Sequence, residues 1–153
     1  MLTTNRYRLA RNLSGALAAS IVASTFFTQF GYSGGATLRD FANELAICTI
    51  SFCSAAVLVF SLIRRDRFLF EVALVSLLGA LIDFALKITI LEGANGLPAY
   101  IEHSSQLHSW KPIVDLLSRW LASAAILTVI TLPFVALGAW VSRFVGRFGD
   151  QAS

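Results

Sequence analysis

The dominant pattern along the chain is a series of long apolar segments separated by short stretches that carry most of the charges. A helix needs about 20 predominantly apolar residues to cross a bilayer core of about 30 Å. Four segments reach or approach that length: Leu13 to Phe30, Phe41 to Ile63, Phe68 to Leu91 and Trp120 to Val141. The pattern predicts an all-α integral membrane bundle of four transmembrane helices, with an outer loop over residues 92–119.

The first segment allows a second interpretation. It follows a basic N-terminal stretch, contains several serines and threonines, and has small residues over Val22–Ser24, as a secretory signal peptide does. The alternative is therefore a signal peptide, residues 1–24, that is cleaved to leave three helices. The apolar character continues through Phe26, Phe27 and Phe30, and this favours a retained helix.

Composition supports a membrane protein with one domain over residues 1–153. Hydrophobic residues make up 56% of the 153 residues and charged residues only 14%, with a mean hydropathy of +0.71. Soluble domains average about 45–50% apolar and about 25% charged residues. The four segments occupy most of the chain, so the lipid bilayer is its predicted surroundings, and little sequence remains for a soluble domain.

The basic residues alternate between the two sides of the predicted membrane. Eight arginines fall on one side and three basic residues on the other. These are Arg6, Arg8, Arg11, Arg64, Arg65, Arg67, Arg143 and Arg147, against Arg39, Lys111 and Arg119. Cytoplasmic loops are enriched in Lys and Arg, so both termini are predicted to be cytoplasmic. The net charge of +3 then reflects topology and not nucleic-acid binding. Short loops favour a bacterial inner membrane.

An intramembrane polar cluster is predicted from Asp83, Lys87 and Glu44. Ionisable groups inside a membrane span are costly and face protein or a cavity rather than lipid. Asp83 and Lys87 are one helical turn apart, and Glu44 lies at a similar depth near the outer end of the second segment. The interpretations are an ion pair that fixes helix register or docks a partner, a proton or ion relay, and a substrate site. Replacing Asp83 or Lys87 with Leu is predicted to disrupt the protein more than changes at Leu74 or Leu78, which the pattern places toward lipid.

Several stripes of small or polar residues accompany this cluster and predict close helix contacts, since small residues let helix backbones approach in lipid. The stripes are Ala16, Ala19, Ser20 and Ala23; Glu44, Cys48, Ser51 and Ala55; Ser76, Ala80, Asp83 and Lys87; and Gly138, Ser142 and Gly146. Glu71, on another face of the third segment, is predicted to be a salt-bridged or interfacial acid near Arg67. In the outer loop, Pro112 suits the first turn of helix four, and residues 97–107 are predicted to form a short interfacial helix.

Motifs for catalysis or cofactor binding are missing from the sequence. His103 and His108 are five residues apart, a spacing that does not place both imidazoles on one helical face, so they are predicted to be solvated rather than metal ligands. Cys48 and Cys53 cannot pair within one helix. We therefore expect no enzyme activity, cofactor or metal. The predicted function is an accessory, assembly or regulatory subunit that acts through a membrane-protein partner or self-association. The alternative is a small homo-oligomeric transporter or channel that uses the intramembrane carboxylates.

Overall fold

The structure, a computed structural model, describes residues 2–31, 37–91 and 96–149. Within these ranges the chain is helical and contains no strand, which confirms the predicted all-α class. The five helices are α1 Leu2–Gly31, α2 Leu38–Leu62, α3 Phe68–Leu91, α4 Gly96–Gln106 and α5 Lys111–Gly149.

Four of the helices are long and apolar enough to cross a membrane, as the sequence predicts. The apolar stretches run over Asn5–Phe30, Leu38–Leu62, Phe68–Thr89 and Lys111–Gly146. α5 begins one residue before Pro112, and α4 occupies almost the whole of the predicted 97–107 helix. Residues 92–95, which open the predicted outer loop, lie outside the described residues.

The four long helices form a closed ring in which each contacts two neighbours. α1 packs against α2 and α5, and α3 packs against the same two helices from the opposite side. α1 and α3 therefore face each other diagonally and meet across the middle of the bundle. α4 lies against α5 and touches α3. A side-chain contact between α1 and α3 therefore crosses the centre of the bundle.

Local signals set the bounds of α2 and α3. Thr37 caps α2: its side chain accepts a hydrogen bond from the backbone of Asp40, whose carboxylate accepts one from the Thr37 backbone N–H at 2.9 Å. This reciprocal arrangement is a capping box, and it satisfies backbone donors that the first helical turn leaves free. Residues 63–67 then connect α2 to α3 in a turn too short to separate them, so the two helices pack as an antiparallel pair.

The residues of α1 that precede Leu13 are part of the bundle, so the helix extends beyond the predicted first span on its N-terminal side. The polar residues Arg8, Arg11 and Asn12 are buried, as are the small residues that follow them on the same side of the helix: Gly15, Ala16, Ala19, Ser20 and Ala23. Spacings of three and four residues keep all of them on one helical face. The basic stretch is therefore the inner end of the packed face of α1. Cleavage near residue 24 would remove this whole face.

The stripes on α2 and α3 are buried, whereas Leu74 and Leu78 do not lie where the pattern places them. Glu44, Cys48, Ser51 and Ala55 of α2, and Ser76, Ala80, Asp83 and Lys87 of α3, are all buried. Leu74 and Leu78 are partly buried and pack against the core. Leu77 is the exposed leucine of this part of α3. It is the appropriate lipid-facing control for substitutions at Asp83 or Lys87.

α1 and α5 cross at two glycines that bring the backbones together. A Cβ atom on Gly15 would lie 2.7 Å from the Val135 carbonyl oxygen, and one on Gly138 would lie 2.7 Å from that of Ser14. Further along α5, the Tyr7 ring occupies the space beside Gly146, and its hydroxyl donates to the Ser142 carbonyl oxygen at 3.2 Å. The stripe of Gly138, Ser142 and Gly146 thus contacts α1 of the same chain.

We expect Gly138→Val to lower the free energy of unfolding by about 1–3 kcal/mol, the usual cost of forcing extra methyl groups into a packed contact. The branched side chain would push against the backbone of α1, which cannot rotate away as a side chain can. Ala125→Val, on an exposed face of α5, adds comparable bulk without meeting another helix. Unfolding in mixed detergent micelles would measure both, and equal stabilities would contradict this account of the crossing.

Candidate functional site

The structure brings Glu44, Asp83 and Lys87 into contact between the N-terminal part of α2 and the C-terminal part of α3. We call this group the outer charge cluster, after the side of the membrane on which the sequence predicts it. Lys87 Nζ lies 2.8 Å from Glu44 Oε2 and 2.9 Å from Asp83 Oδ2. All three side chains are buried, and Asp83 is fully so. Asp83 lies eight residues before the end of α3, about 12 Å along the helix axis, so its carboxylate cannot reach the surface.

Aromatic rings close the outer charge cluster on the side of α1. Lys87 Nζ lies 3.2 Å from the centroid of the Phe27 ring and 6.0 Å from that of Phe84. The two rings pack edge to face, with 5.6 Å between their centroids. A cation over the face of an aromatic ring is attracted by its electron density, and more strongly when water is excluded. The ammonium of Lys87 is therefore held by α1, α2 and α3 together.

The outer charge cluster continues into the polar faces of α2 and α3. Cys48, one turn beyond Glu44, is fully buried beside Asp83. Neither Cys48 nor Cys53 forms a disulfide. Ser20 of α1 donates a hydrogen bond to the Cys48 carbonyl oxygen at 3.2 Å. The contacts that the structure describes for the polar faces of α2 and α3 are thus with helices of the same chain.

A second group of charges, the inner charge cluster, lies at the opposite end of the bundle, and all of its members except Asp66 are buried. It consists of Arg8, Arg11 and Asn12 of α1, Asp66 of the α2–α3 turn, and Glu71 of α3. Glu71 is fully buried and accepts from Arg8 Nε at 2.7 Å, Arg11 Nη2 at 2.9 Å and Asn12 Nδ2 at 2.7 Å. The two arginines and the two carboxylates, those of Asp66 and Glu71, balance in charge. The Glu71 carboxylate accepts a hydrogen bond from each of the three α1 side chains.

The inner charge cluster also ties α1 to the turn between α2 and α3. Arg8 donates through a second nitrogen to the Ile63 carbonyl oxygen at the end of α2. Arg11 Nη1 lies 3.0 Å from both carboxylate oxygens of Asp66. The Arg67 backbone N–H donates to Glu71 Oε1 at 3.3 Å. The guanidinium groups thus satisfy acceptors at the end of α2, in the turn and on α3.

The sequence predicts that Glu71 is salt-bridged or interfacial, but it does not identify the partners on α1. Arg8 and Arg11 are explained in the sequence by membrane topology alone, whereas the structure buries both against Glu71. A signal was present in the spacing: Arg8, Arg11 and Asn12 extend the small-residue face of α1 by one further turn. A polar group that continues a buried stripe indicates a buried partner, because a buried charge is costly unless it is paired.

The outer histidines lie apart from both charge clusters. His103 and His108 are exposed at the end of α4 and in the turn that follows. His108 adopts a positive φ of 49° where the chain turns toward α5. His108 also lines a groove of about 340 Å³ with Ser104, Trp110 and Ile113. No group of three metal-ligating side chains occurs in the part of the chain that the structure describes.

The two charge clusters are the most unusual chemical feature of this bundle. The inner charge cluster pairs two arginines with two carboxylates, whereas in the outer charge cluster two carboxylates contact the ammonium of Lys87. Comparison with protein-family models, curated proteins and solved structures found no match for this chain. Its function must therefore be argued from its own residues.

Proposed function

We propose that the protein is a small multi-pass membrane protein that serves as an accessory, assembly or regulatory subunit. The observation that carries this proposal is the burial of both charge clusters inside a single chain. Each cluster joins α1 to α3 across the bundle, so together they fix the relative positions of helices whose outer faces are apolar. A preorganised frame of this kind suits a protein that presents a fixed surface to another membrane protein.

The partner in this proposal docks on large apolar side chains rather than on the small-residue stripes. The stripes on α1, α2 and α3, and Gly138 on α5, are already used within the chain. The outward side of α5 carries exposed large side chains, among them Val129, Leu137, Trp140 and Phe144, and the last two stack with ring centroids 5.4 Å apart. Contact in lipid then depends on the shape of this surface, because lipid tails are as apolar as the side chains.

Purification of the tagged protein from its own membranes in mild detergent tests this proposal. We expect a stable complex containing either a second membrane protein or a further copy of this chain. An unrelated tagged membrane protein of similar size, purified in parallel, identifies non-specific companions. A chain that purifies alone as a monomer, and whose deletion leaves every other membrane protein at its normal level, would contradict the proposal.

The location proposed for the chain is a bacterial inner membrane, with both termini in the cytoplasm. The bias of exposed arginines toward the inner end supports it: Arg6, Arg64, Arg65, Arg67 and Arg143 are all exposed there. Arg8 and Arg11 do not weaken this assignment, since they are buried at the same end of the bundle as the exposed arginines.

A small homo-oligomeric transporter or channel is the second candidate function. The burial of two carboxylates, Glu44 and Asp83, within helices of membrane-spanning length is the observation that favours it. Four spans are few for a pathway within one chain, so this function requires several copies. Flux into reconstituted vesicles that does not change in Asp83→Asn would speak against it.

A further inference from the structure

Exposed arginines gather at the end of the bundle that contains the α2–α3 turn. Arg64, Arg65 and Arg67 lie in this turn and are exposed. Arg143 of α5 is exposed beside it, with its Cζ atom 5.8 Å from the ring centroid of Phe68, the first residue of α3. We call these four arginines the arginine surface. Within the part of the chain that the structure describes, none of them forms a salt bridge with a carboxylate.

The carboxylates closest to the arginine surface in the chain are held by other groups. Asp66 lies in the turn itself, but Arg11 Nη1 is 3.0 Å from both of its oxygens. Glu71 is one helical turn beyond Arg67, yet it is fully buried and accepts from Arg8, Arg11 and Asn12 of α1. From Arg67 it accepts only the backbone N–H. The inner charge cluster therefore takes up the nearby acids and leaves the guanidinium groups of the turn available to another anion.

The opposite end of the bundle does not show this excess of positive charge. Arg39 is adjacent to Asp40, and Asp115 lies four residues from both Lys111 and Arg119 on α5. Membrane topology requires more basic residues on one side than on the other. It does not require that the acids of that side be engaged elsewhere, so topology alone does not account for the arginine surface.

Large apolar side chains are exposed directly beside the arginine surface. Leu62 precedes the turn, and Leu69 and Phe70 follow it in the first turn of α3. These residues belong to the ends of two helices of membrane-spanning length. Guanidinium groups and apolar side chains are thus exposed side by side, where a span meets the headgroup region of a bilayer. A ligand that fits both is an anion that carries apolar chains.

We infer that the arginine surface is a docking site for an anionic phospholipid of the membrane leaflet beside it. The phosphate accepts hydrogen bonds from the guanidinium groups, whose fork of donors matches two phosphate oxygens. The acyl chains lie along Leu69 and Phe70. Clusters of about four or more basic residues at the end of a span attract anionic lipids. The inference goes beyond both functions proposed above, because such a lipid can bind whether the chain serves a partner or conducts an ion.

Native mass spectrometry of the purified protein, released from detergent micelles, counts the phospholipids that remain bound and tests the inference. We expect phosphatidylglycerol to bind more tightly than phosphatidylcholine with the same acyl chains. Its affinity should fall as the ammonium acetate concentration rises, because salt screens exposed charges. Arg64→Gln and Arg65→Gln should each weaken phosphatidylglycerol binding about fivefold, the equivalent of about 1 kcal/mol per arginine. Binding of phosphatidylcholine should change much less.

Lys111→Gln and Arg119→Gln are the matched controls, because both remove an exposed positive charge at the other end of the bundle. They should keep the wild-type affinity for phosphatidylglycerol. Since Arg64 and Arg65 are exposed, we expect their variants to keep the helical content of the wild type. If a variant fails to fold, the lipid preference of the wild type and its dependence on salt still decide the question.

Equal affinity of the wild type for the two lipids would overturn the inference, and so would an affinity for phosphatidylglycerol that the changes at Arg64 and Arg65 do not alter. Displacement of the lipid by an equal concentration of glycerol phosphate would also overturn it, because a soluble phosphate would then be the ligand. If the arginine variants lose a co-purifying protein but bind phosphatidylglycerol as the wild type does, the surface docks an acidic protein and not a lipid.

Discussion

Glu71→Gln is expected to lower the free energy of unfolding by about 3–5 kcal/mol, the cost of removing one member of a buried ion cluster. The amide keeps the shape of the side chain but not its charge. Arg8 and Arg11 would then remain buried, with only the half-exposed Asp66 carboxylate opposite them. The amide also replaces an oxygen that accepts hydrogen bonds with a group that donates them, which places donor against donor. Unfolding in mixed detergent micelles, followed by helical content, measures the loss.

Glu102→Gln is the matched control, because Glu102 is an exposed glutamate of α4 outside both clusters. It should change stability by less than about 0.5 kcal/mol. A double variant, Glu71→Gln with Arg8→Gln, restores charge balance by leaving Arg11 opposite Asp66. The double variant should therefore lose less stability than the two single variants lose in total. Strict additivity would show that Arg8 and Glu71 do not stabilise each other.

We expect Lys87→Met, at the other end of the bundle, to lower the free energy of unfolding by a similar amount, about 3–5 kcal/mol. Methionine fills much of the same volume, but Glu44 and Asp83 would lose the ammonium that both contact, and the Phe27 ring would lose it from its face. Unfolding in mixed detergent micelles, followed by helical content, measures this loss as well.

Lys111→Met controls for the loss of a lysine, since Lys111 is exposed at the start of α5. Leu77→Ala controls for a change on the lipid-facing side of α3. Both should retain nearly the wild-type stability in detergent. If Lys87→Met is as stable as these controls, the outer charge cluster does not hold the helices together.

The sequence predicted the helices and much of the outer charge cluster because both depend on short-range regularities. The lengths of the apolar segments identified four membrane-length helices, and Pro112 indicated where the last one begins. The four-residue spacing of Asp83 and Lys87 gives a contact within one helix, and the similar depth of Glu44 suggested the third member. The role of these residues stays a prediction, because their chemistry alone does not identify what they act on.

The inner charge cluster was beyond this reasoning because it depends on which helices face each other. Glu71 and Arg8 are 63 residues apart, and no local spacing relates them. The arginines also had a sufficient explanation in topology, and their place on the small-residue face of α1 indicates burial without identifying Glu71 as the partner. The ion pairs form because α1 and α3 lie diagonally opposite each other, and this placement follows from the packing of all four helices together.

The diagonal contact between α1 and α3 limits how this protein can move. Arg11 and Phe27 mark the two ends of α1 at which it is joined to α3, about 24 Å apart along the helix axis. A helix fixed at two distant points cannot slide by one turn or rotate without breaking contacts at both. α5 is attached differently, through the glycine crossing, the Tyr7 hydrogen bond and its packing against α3. Neither charge cluster includes a residue of α5, so the two clusters fix the positions of α1, α2 and α3 relative to one another and not that of α5.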